Sequence, residues 1–189
     1  MQRTLNVNYN IHKFNPQQLI PLKTDILWSI KEGTVKSFTW NEQGNLITLG
    51  YWGRGDLVGK PLSITKDPQQ IQCLTPVEAY GIPCQRWYCI AEQICRHAQQ
   101  SQEILAIVRT PRIYNRLQQF LLWLSHKFGC ENRDGLLVDL RLTHQELAEA
   151  IGTTRVTITK LLNQFEEEGF IRRSHRHIIV LKYQLESNN

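Results

Sequence analysis

The segment that most limits what this chain can fold into is residues 142–171, "LTHQELAEAIGTTRVTITKLLNQFEEEGFI". Its apolar residues recur at helical spacing, yet its centre is the polar run "TTRVTITK". Thr143 followed three residues on by Glu146 is a capping-box spacing, which starts a short helix. Leu147, Ala148 and Ile151 form its buried face, and Gly152 ends it. Thr153 and Thr154 supply a turn and an N-cap for a second helix. That helix packs through Ile158, Leu161, Leu162 and Phe165 and stops at Gly169. Two short helices joined by a tight Gly-containing turn read as a helix-turn-helix.

The packing face leaves Arg155, Val156, Thr159 and Lys160 outward near the start of the second helix. Short polar side chains let a helix approach the major groove. Arg can read guanine through a two-pronged hydrogen bond, and a Val or Thr methyl can meet the thymine methyl. Thr hydroxyls and a helix N-terminus suit phosphate oxygens. The next stretch, "FIRRSHRHIIVLKY", reads as two strands around a basic turn, the wing of a winged helix. Arg172, Arg173, His175, Arg176 and His177 are its candidates for backbone contact. Either feature alone fits a solvated surface; their succession points to DNA. Glu166, Glu167 and Glu168 keep the segment close to neutral, so any positive face must be local.

The rest of the chain divides at Pro83. Before it, "DILWSIKEGTVKSFTW" and "NLITLGYW" alternate and are separated by the turn "NEQG". "QIQCLTPVEAYGIP" reads as a further short strand pair, and the spacing suggests a sandwich or barrel. After it, "WYCIAEQICRHAQQSQEILAIVR" lacks Gly and Pro and reads as one helix. Ile94, Ala98, Ser101, Leu105 and Val108 fall at spacings of 4, 3, 4 and 3 along it. That pattern fits a coiled-coil seam with a second copy, or equally a stripe packed on the protein's own barrel. Thr110-Pro111 breaks the helix, with Thr110 as N-cap and Pro111 as first residue of the next, "PRIYNRLQQFLLWLSHKFG". "CENRDGLLVDLRL" follows as a polar turn and one short strand, and the tail "QLESNN" reads as frayed.

A formal net charge of +5 and a pI near 9.0 favour an acidic partner. The start "MQRTLNVNYNIHKF" lacks the apolar core of a secretory signal, and no run reaches membrane-span length. With its odd number of cysteines (Cys73, Cys84, Cys89, Cys95 and Cys130) the chain reads as cytoplasmic with reduced thiols, and no membrane association is expected. An enzyme in the barrel would need a His/Glu cluster in the first 90 residues, where His12 is the only His. No catalytic or metal site is expected, and His97 and His126 read as ordinary helix residues. A sensory or scaffold protein whose winged helix binds protein remains the competing reading, as does a thiol-responsive regulator.

At these residues the sequence resembles the Crp/Fnr family of regulators. "LTHQELAEAIGTTRVTITKLLNQFEEEGFI" follows the family's winged-helix signature, closest to the global nitrogen regulator branch with its Thr-Arg-Val-Thr pattern. "YWGRGDLVG" looks like the glycine-bracketed turn of the family's effector barrel, and "EILAIVRTPRIYNRL" like its dimer helix, hinge and following helix. The resemblance implies an α+β fold. An N-terminal cyclic-nucleotide-binding-like β-barrel (jelly roll) at 1–90, N-terminally shortened or rebuilt, would lead into a long dimerisation helix and hinge at 91–110. A winged helix-turn-helix would fill 111–189. It implies double-stranded DNA, a second copy of the chain and RNA polymerase as partners. By position, Arg155 would read guanine, and Val156 stands where the cyclic-AMP receptor branch has Glu, favouring a GTA-type half-site. Lys160 would be a second basic contact, and Thr143, His144, Gln145 and Thr154 would meet the backbone. Thr153, Thr157, Thr159 and Arg173 complete the expected DNA-binding set.

The effector side departs from the family. Its cyclic-nucleotide cassette uses a Gly-Glu pair for the ribose and a later Arg for the phosphate. Here the pair is Gly59-Lys60, and no Arg occurs from Pro61 to Gln85. A cyclic phosphate would lack its two-pronged partner, so no cyclic AMP is expected; no cofactor is assigned, and Lys60 leaves a different acidic ligand open. The nitrogen branch's 2-oxoglutarate residues also find no match on the dimer helix. The spacing of Cys84, Cys89 and Cys95 does not match the iron–sulfur cysteines of the oxygen-sensing branch.

Overall fold

The computed structural model describes residues 10–63, 68–174 and 177–181. The expected backbone contacts His175 and Arg176 and the tail 184–189 lie outside the described residues. The chain forms two compact units, Met1–Ser101 and Gln102–Asn189.

The first unit carries β1 (Ile11–Phe14), β2 (Ile26–Glu32), β3 (Val35–Trp40), β4 (Leu46–Trp52), β5 (Leu57–Val58), β6 (Gln70–Cys73) and β7 (Val77–Pro83). They lie in two sheets, ordered β1-β7-β2-β5 and β4-β3-β6, with antiparallel pairing. The expected jelly-roll barrel thus takes the form of two separate sheets among the described residues, sharing one core of Phe14, Trp28, Ile30, Val35, Trp52 and Ile71. The stretch read as one alternating run, "DILWSIKEGTVKSFTW", is two strands broken at Gly33. Gly33 has φ +88°, and a Cβ there would sit 2.1 Å from the Pro76 carbonyl, so only glycine fits. β6 and β7 are both present, but they pair with different sheets rather than with each other. Pro76 and its neighbours carry the chain across between them.

The helix expected from Trp87 starts later. Residues Cys84–Ile90 wind as a 3-10 helix, and α1 runs Ala91–Arg109. Packing sets this tighter turn: Trp87 Nε1 donates to the Ile82 carbonyl at 3.1 Å, and Ile90 joins Leu27, Leu57 and Ile82 in a second core cluster.

In the second unit α2 spans Ile113–Phe128. Its N-cap is Arg112, with no side-chain cap bond, not Thr110. The Thr110 hydroxyl lies instead 2.8 Å from Gln119 Oε1. Leu117, Phe120, Leu121 and Leu124 recur on one face of α2 and are buried. The polar turn after Gly129 is itself a strand, β8 (Gly129–Asn132), paired with β9 (Gly135–Val138). β10 (Ile171–Ser174) and β11 (His177–Leu181) form the wing hairpin and complete a sheet ordered β10-β11-β9-β8. This sheet and α2 back the helix-turn-helix pair α3 (His144–Ile151) and α4 (Arg155–Glu167).

Candidate nucleic-acid interface

The capping box is complete at the start of α3. The Glu146 N–H donates to Thr143 Oγ1 at 3.1 Å, and the Thr143 N–H donates to Glu146 Oε2 at 2.8 Å. Gly152 closes α3 in the left-handed region at φ +70°, and the Thr153 N–H returns to the Ala148 carbonyl. Thr154 then caps α4, accepting from the Thr157 N–H at 3.2 Å. These two caps fix where α4 begins, and hence which side chains its first turns present.

α4 buries Ile158, Leu162 and Phe165, while Leu161 is half-buried. Phe165 meets Tyr114 and Phe170 edge to face, ring centroids 4.8 and 5.1 Å apart. Removing such a ring costs about 3–5 kcal/mol, so the face that is left outward is firmly determined. On that face Thr154, Arg155, Val156 and Lys160 are exposed, and Thr157 and Thr159 are half-buried. Val156 is 65% exposed.

The remaining expected residues fall around this turn. Gln145 is exposed and donates to Glu149 on its own helix. His144 Nδ1 lies 2.8 Å from Thr159 Oγ1, which itself donates to the Arg155 carbonyl at 3.0 Å. The hydroxyl has one proton, so the ring nitrogen supplies the other hydrogen and Nε2 is left as the open nitrogen. Burial, then the charges of Arg173 and Arg155, hold the His144 pKa below its ordinary 6.5.

Arg173 is less free than its place on the wing implied. Its Nε donates to Glu166 Oε2 at 2.8 Å, Nη2 pairs with the same carboxylate, and Nη2 also reaches Asn163 Oδ1 at 2.9 Å. Glu166 is correspondingly held below the usual carboxylate pKa by the Arg173 side-chain bond. Arg172 pairs with Asp134. Glu168 accepts from Tyr114 and Gln164, and the Glu168 bond pushes the Tyr114 phenol up to about 12. Two of the three glutamates that looked set to neutralise the recognition helix are thus engaged at its far end, leaving its first turns with Arg155 and Lys160.

Sequence reasoning missed Arg116. Its Nε and Nη2 donate to the Thr110 carbonyl at 3.0 and 2.9 Å, and its Nη1 donates to the Ile151 carbonyl at 2.7 Å. No spacing rule marks an arginine whose acceptors are backbone carbonyls, one of them 35 residues away.

In the first unit, Trp52 is buried, donates to Ser37 Oγ at 2.8 Å and stacks on His97 at 4.1 Å. His97 Nδ1 lies 3.0 Å from the Leu57 carbonyl. Gly59 is buried, and the half-buried Lys60 opens the 3-10 turn Lys60–Leu62. Cys84, Cys89, Cys95 and Cys130 are exposed, while burial pushes the Cys73 thiol up to about 11. Among the described residues no group of three or more His, Cys, Asp or Glu is placed to hold a metal ion. Among the same residues no helix is long and apolar enough to cross a membrane.

Residues 115–185 match the Crp-like helix-turn-helix domain. Over 167 residues, 86% of this chain and 79% of the relative, the sequence is 40% identical to the regulatory protein CysR of Synechococcus elongatus. The chain belongs to the Crp/Fnr family. It is 27% identical over 169 residues to the global nitrogen regulator of Synechococcus elongatus, and 47% identical over 68 residues to that of Nostoc. A transcriptional regulator of the CRP family from Thermus thermophilus superimposes with a TM-score of 0.78 at 23% identity, covering 93% of this chain and 95% of that one. Like its Crp/Fnr relatives, the protein is a DNA-binding transcriptional regulator, with the winged helix as its DNA-binding element.

Proposed function

We propose that this Crp/Fnr regulator binds a two-fold-symmetric operator as a homodimer, without cyclic AMP. Residues 1–90 serve as the effector-type domain, 91–110 as the dimer helix and hinge, and 111–189 as the reader of DNA. The observation that carries the reading is the first turns of α4. Ile158 and Leu162 on their packing side are buried while Arg155, Val156 and Lys160 stand exposed over a capped helix N-terminus. Arg155 reads guanine, Val156 meets a thymine methyl, and Lys160 adds a second basic contact. Thr143, His144, Gln145, Thr153, Thr154, Thr157 and Thr159 hold the phosphate backbone on either side, and Arg173 joins them when Glu166 releases it.

Dimerisation is supported by α1. The seam residues Ala98 and Leu105 are exposed, and Ile94, Ser101 and Val108 are half-buried. A different stripe, Gln100, Ile104 and Ile107, is the buried one. Ile94 packs on the chain's own Leu27, Leu57, Ile82 and Ile90 cluster, while Ala98 and Leu105 stay open to a second copy. The protein acts in the cytoplasm, and its further partner is RNA polymerase, as the family resemblance implies.

Independence from cyclic AMP is supported by Lys60 in place of a ribose-binding carboxylate and by the lack of an arginine between Pro61 and Gln85. Trp52 stacked on His97 fills the core beside α1 with side chains. Selection of bound duplexes from a random pool, with and without cyclic AMP, tests the whole reading. The expected result is one palindromic site with GTA-type half-sites, enriched equally in both pools. Asymmetric sites would remove the dimer, and enrichment only with the nucleotide would remove the effector independence.

A further inference from the structure

Arg116 links two places that the DNA-binding reading leaves unconnected. Thr110 directly follows the last residue of α1, and Ile151 is the last residue of α3, immediately before the Gly152 turn that sets the start of α4. Carbonyls at helix C-termini lack intrahelical partners and carry the negative end of the helix dipole. One guanidinium, projecting from the first turn of α2, supplies donors to both. Arginine is suited to this because its donors form a rigid planar fork, so the two carbonyls are held at a fixed separation and direction. The contact is reinforced on the same stretch by the Thr110 hydroxyl at Gln119 Oε1.

We infer that Arg116 is a positioning residue that clamps the end of the dimer helix to the turn of the helix-turn-helix, and so fixes the half-site spacing that the dimer accepts. The inference rests on the homodimer and the palindromic operator proposed above. A dimer gains from its second half-site only when both recognition helices reach their grooves together. That gain of about 10²–10⁴ in affinity disappears when geometry forbids it. A clamp at the Thr110–Ile151 junction limits the angles available to each recognition helix relative to α1. Without it each helix still reads its own half-site, but the pair tolerates several spacings.

The test compares full-length wild type, Arg116→Ala and Arg116→Lys on three duplexes: the operator, the operator with one base pair added between half-sites, and a single half-site. Wild type is expected to lose about a hundredfold on the mis-spaced operator. Arg116→Ala is expected to bind the single half-site as wild type does, yet to distinguish the two spacings by less than about threefold. Arg116→Lys, a point charge able to serve one carbonyl at a time, should fall between. If Arg116→Ala keeps the hundredfold preference, the clamp is refuted. If it weakens half-site, operator and mis-spaced operator alike, with a lowered melting temperature, Arg116 only stabilises the fold and the inference is again overturned. If wild type itself shows no spacing preference, the dimeric reading fails, and the inference falls with it.

Discussion

His144 and Thr159 meet at 2.8 Å, joining the first residue of α3 to the exposed side of α4. The ring is neutral at neutral pH because burial and the charges of Arg173 and Arg155 hold its pKa below 6.5. A base whose folded pKa lies below its unfolded value contributes stability that is fully present above about 6.5 and is lost as pH falls from there through the folded pKa. A DNA phosphate at Nε2 acts in the opposite sense and raises the pKa. Binding then takes up a proton, so operator affinity should rise as pH falls from the ring's pKa in the complex toward its lower pKa in the free protein. An NMR titration of the His144 ring, free and bound to operator, reads this directly. An unchanged or lower pKa in the complex would take His144 off the phosphate backbone. His144→Gln should remove the pH dependence while leaving binding at pH 8 largely intact.

Glu166 holds Arg173 through both Nε and Nη2. Glu166→Gln should free that guanidinium and remove a negative charge from the helix. Affinity for random duplex should increase, and the slope of log K against log salt should steepen by about one phosphate contact. An unaltered slope would mean that Arg173 fastens the wing to α4 and never meets DNA.

Leu105 is 52% exposed on α1, on the stripe distinct from the buried Ile104 and Ile107. Leu105→Glu would place two like charges in an apolar seam. Sedimentation should then show monomers, with a melting temperature close to wild type because no core contact is lost. A variant that stays dimeric would show that the second copy docks elsewhere.

The helix-turn-helix was legible because several signals agree there. Thr143 with Glu146, Gly152, Thr154 and the apolar periodicity all place the same two helices, and the structure follows them closely. Local signals failed where tertiary contacts decide. Thr110 before Pro111 has the chemistry of an N-cap, but its hydroxyl is turned to Gln119 and its carbonyl takes Arg116, so α2 starts at Ile113. The Trp87 region winds as 3-10 because Trp87 and Ile90 must reach the Ile82 cluster. β8 hid behind a polar sequence because it is a largely exposed edge strand, paired among the described residues with β9 alone. Among the site residues, the sequence marked the exposed turn of α4 from what it lacked, an apolar face. It could not show that Arg173 is paired with Glu166, or that Arg116 spans two carbonyls, since neither link has a periodicity.

Arg155 is exposed in the first turn of a capped helix whose opposite face is buried, and base reading by that side chain is the centre of the account. The most direct measurement is the affinity of wild type and Arg155→Ala for the selected palindrome and for random duplex, at one salt concentration. The account predicts a loss of about 1–3 kcal/mol per half-site on the palindrome, relaxed preference at one base pair, and a much smaller loss on random duplex. Equal losses on both duplexes would make Arg155 a backbone contact and contradict the proposed mode of recognition.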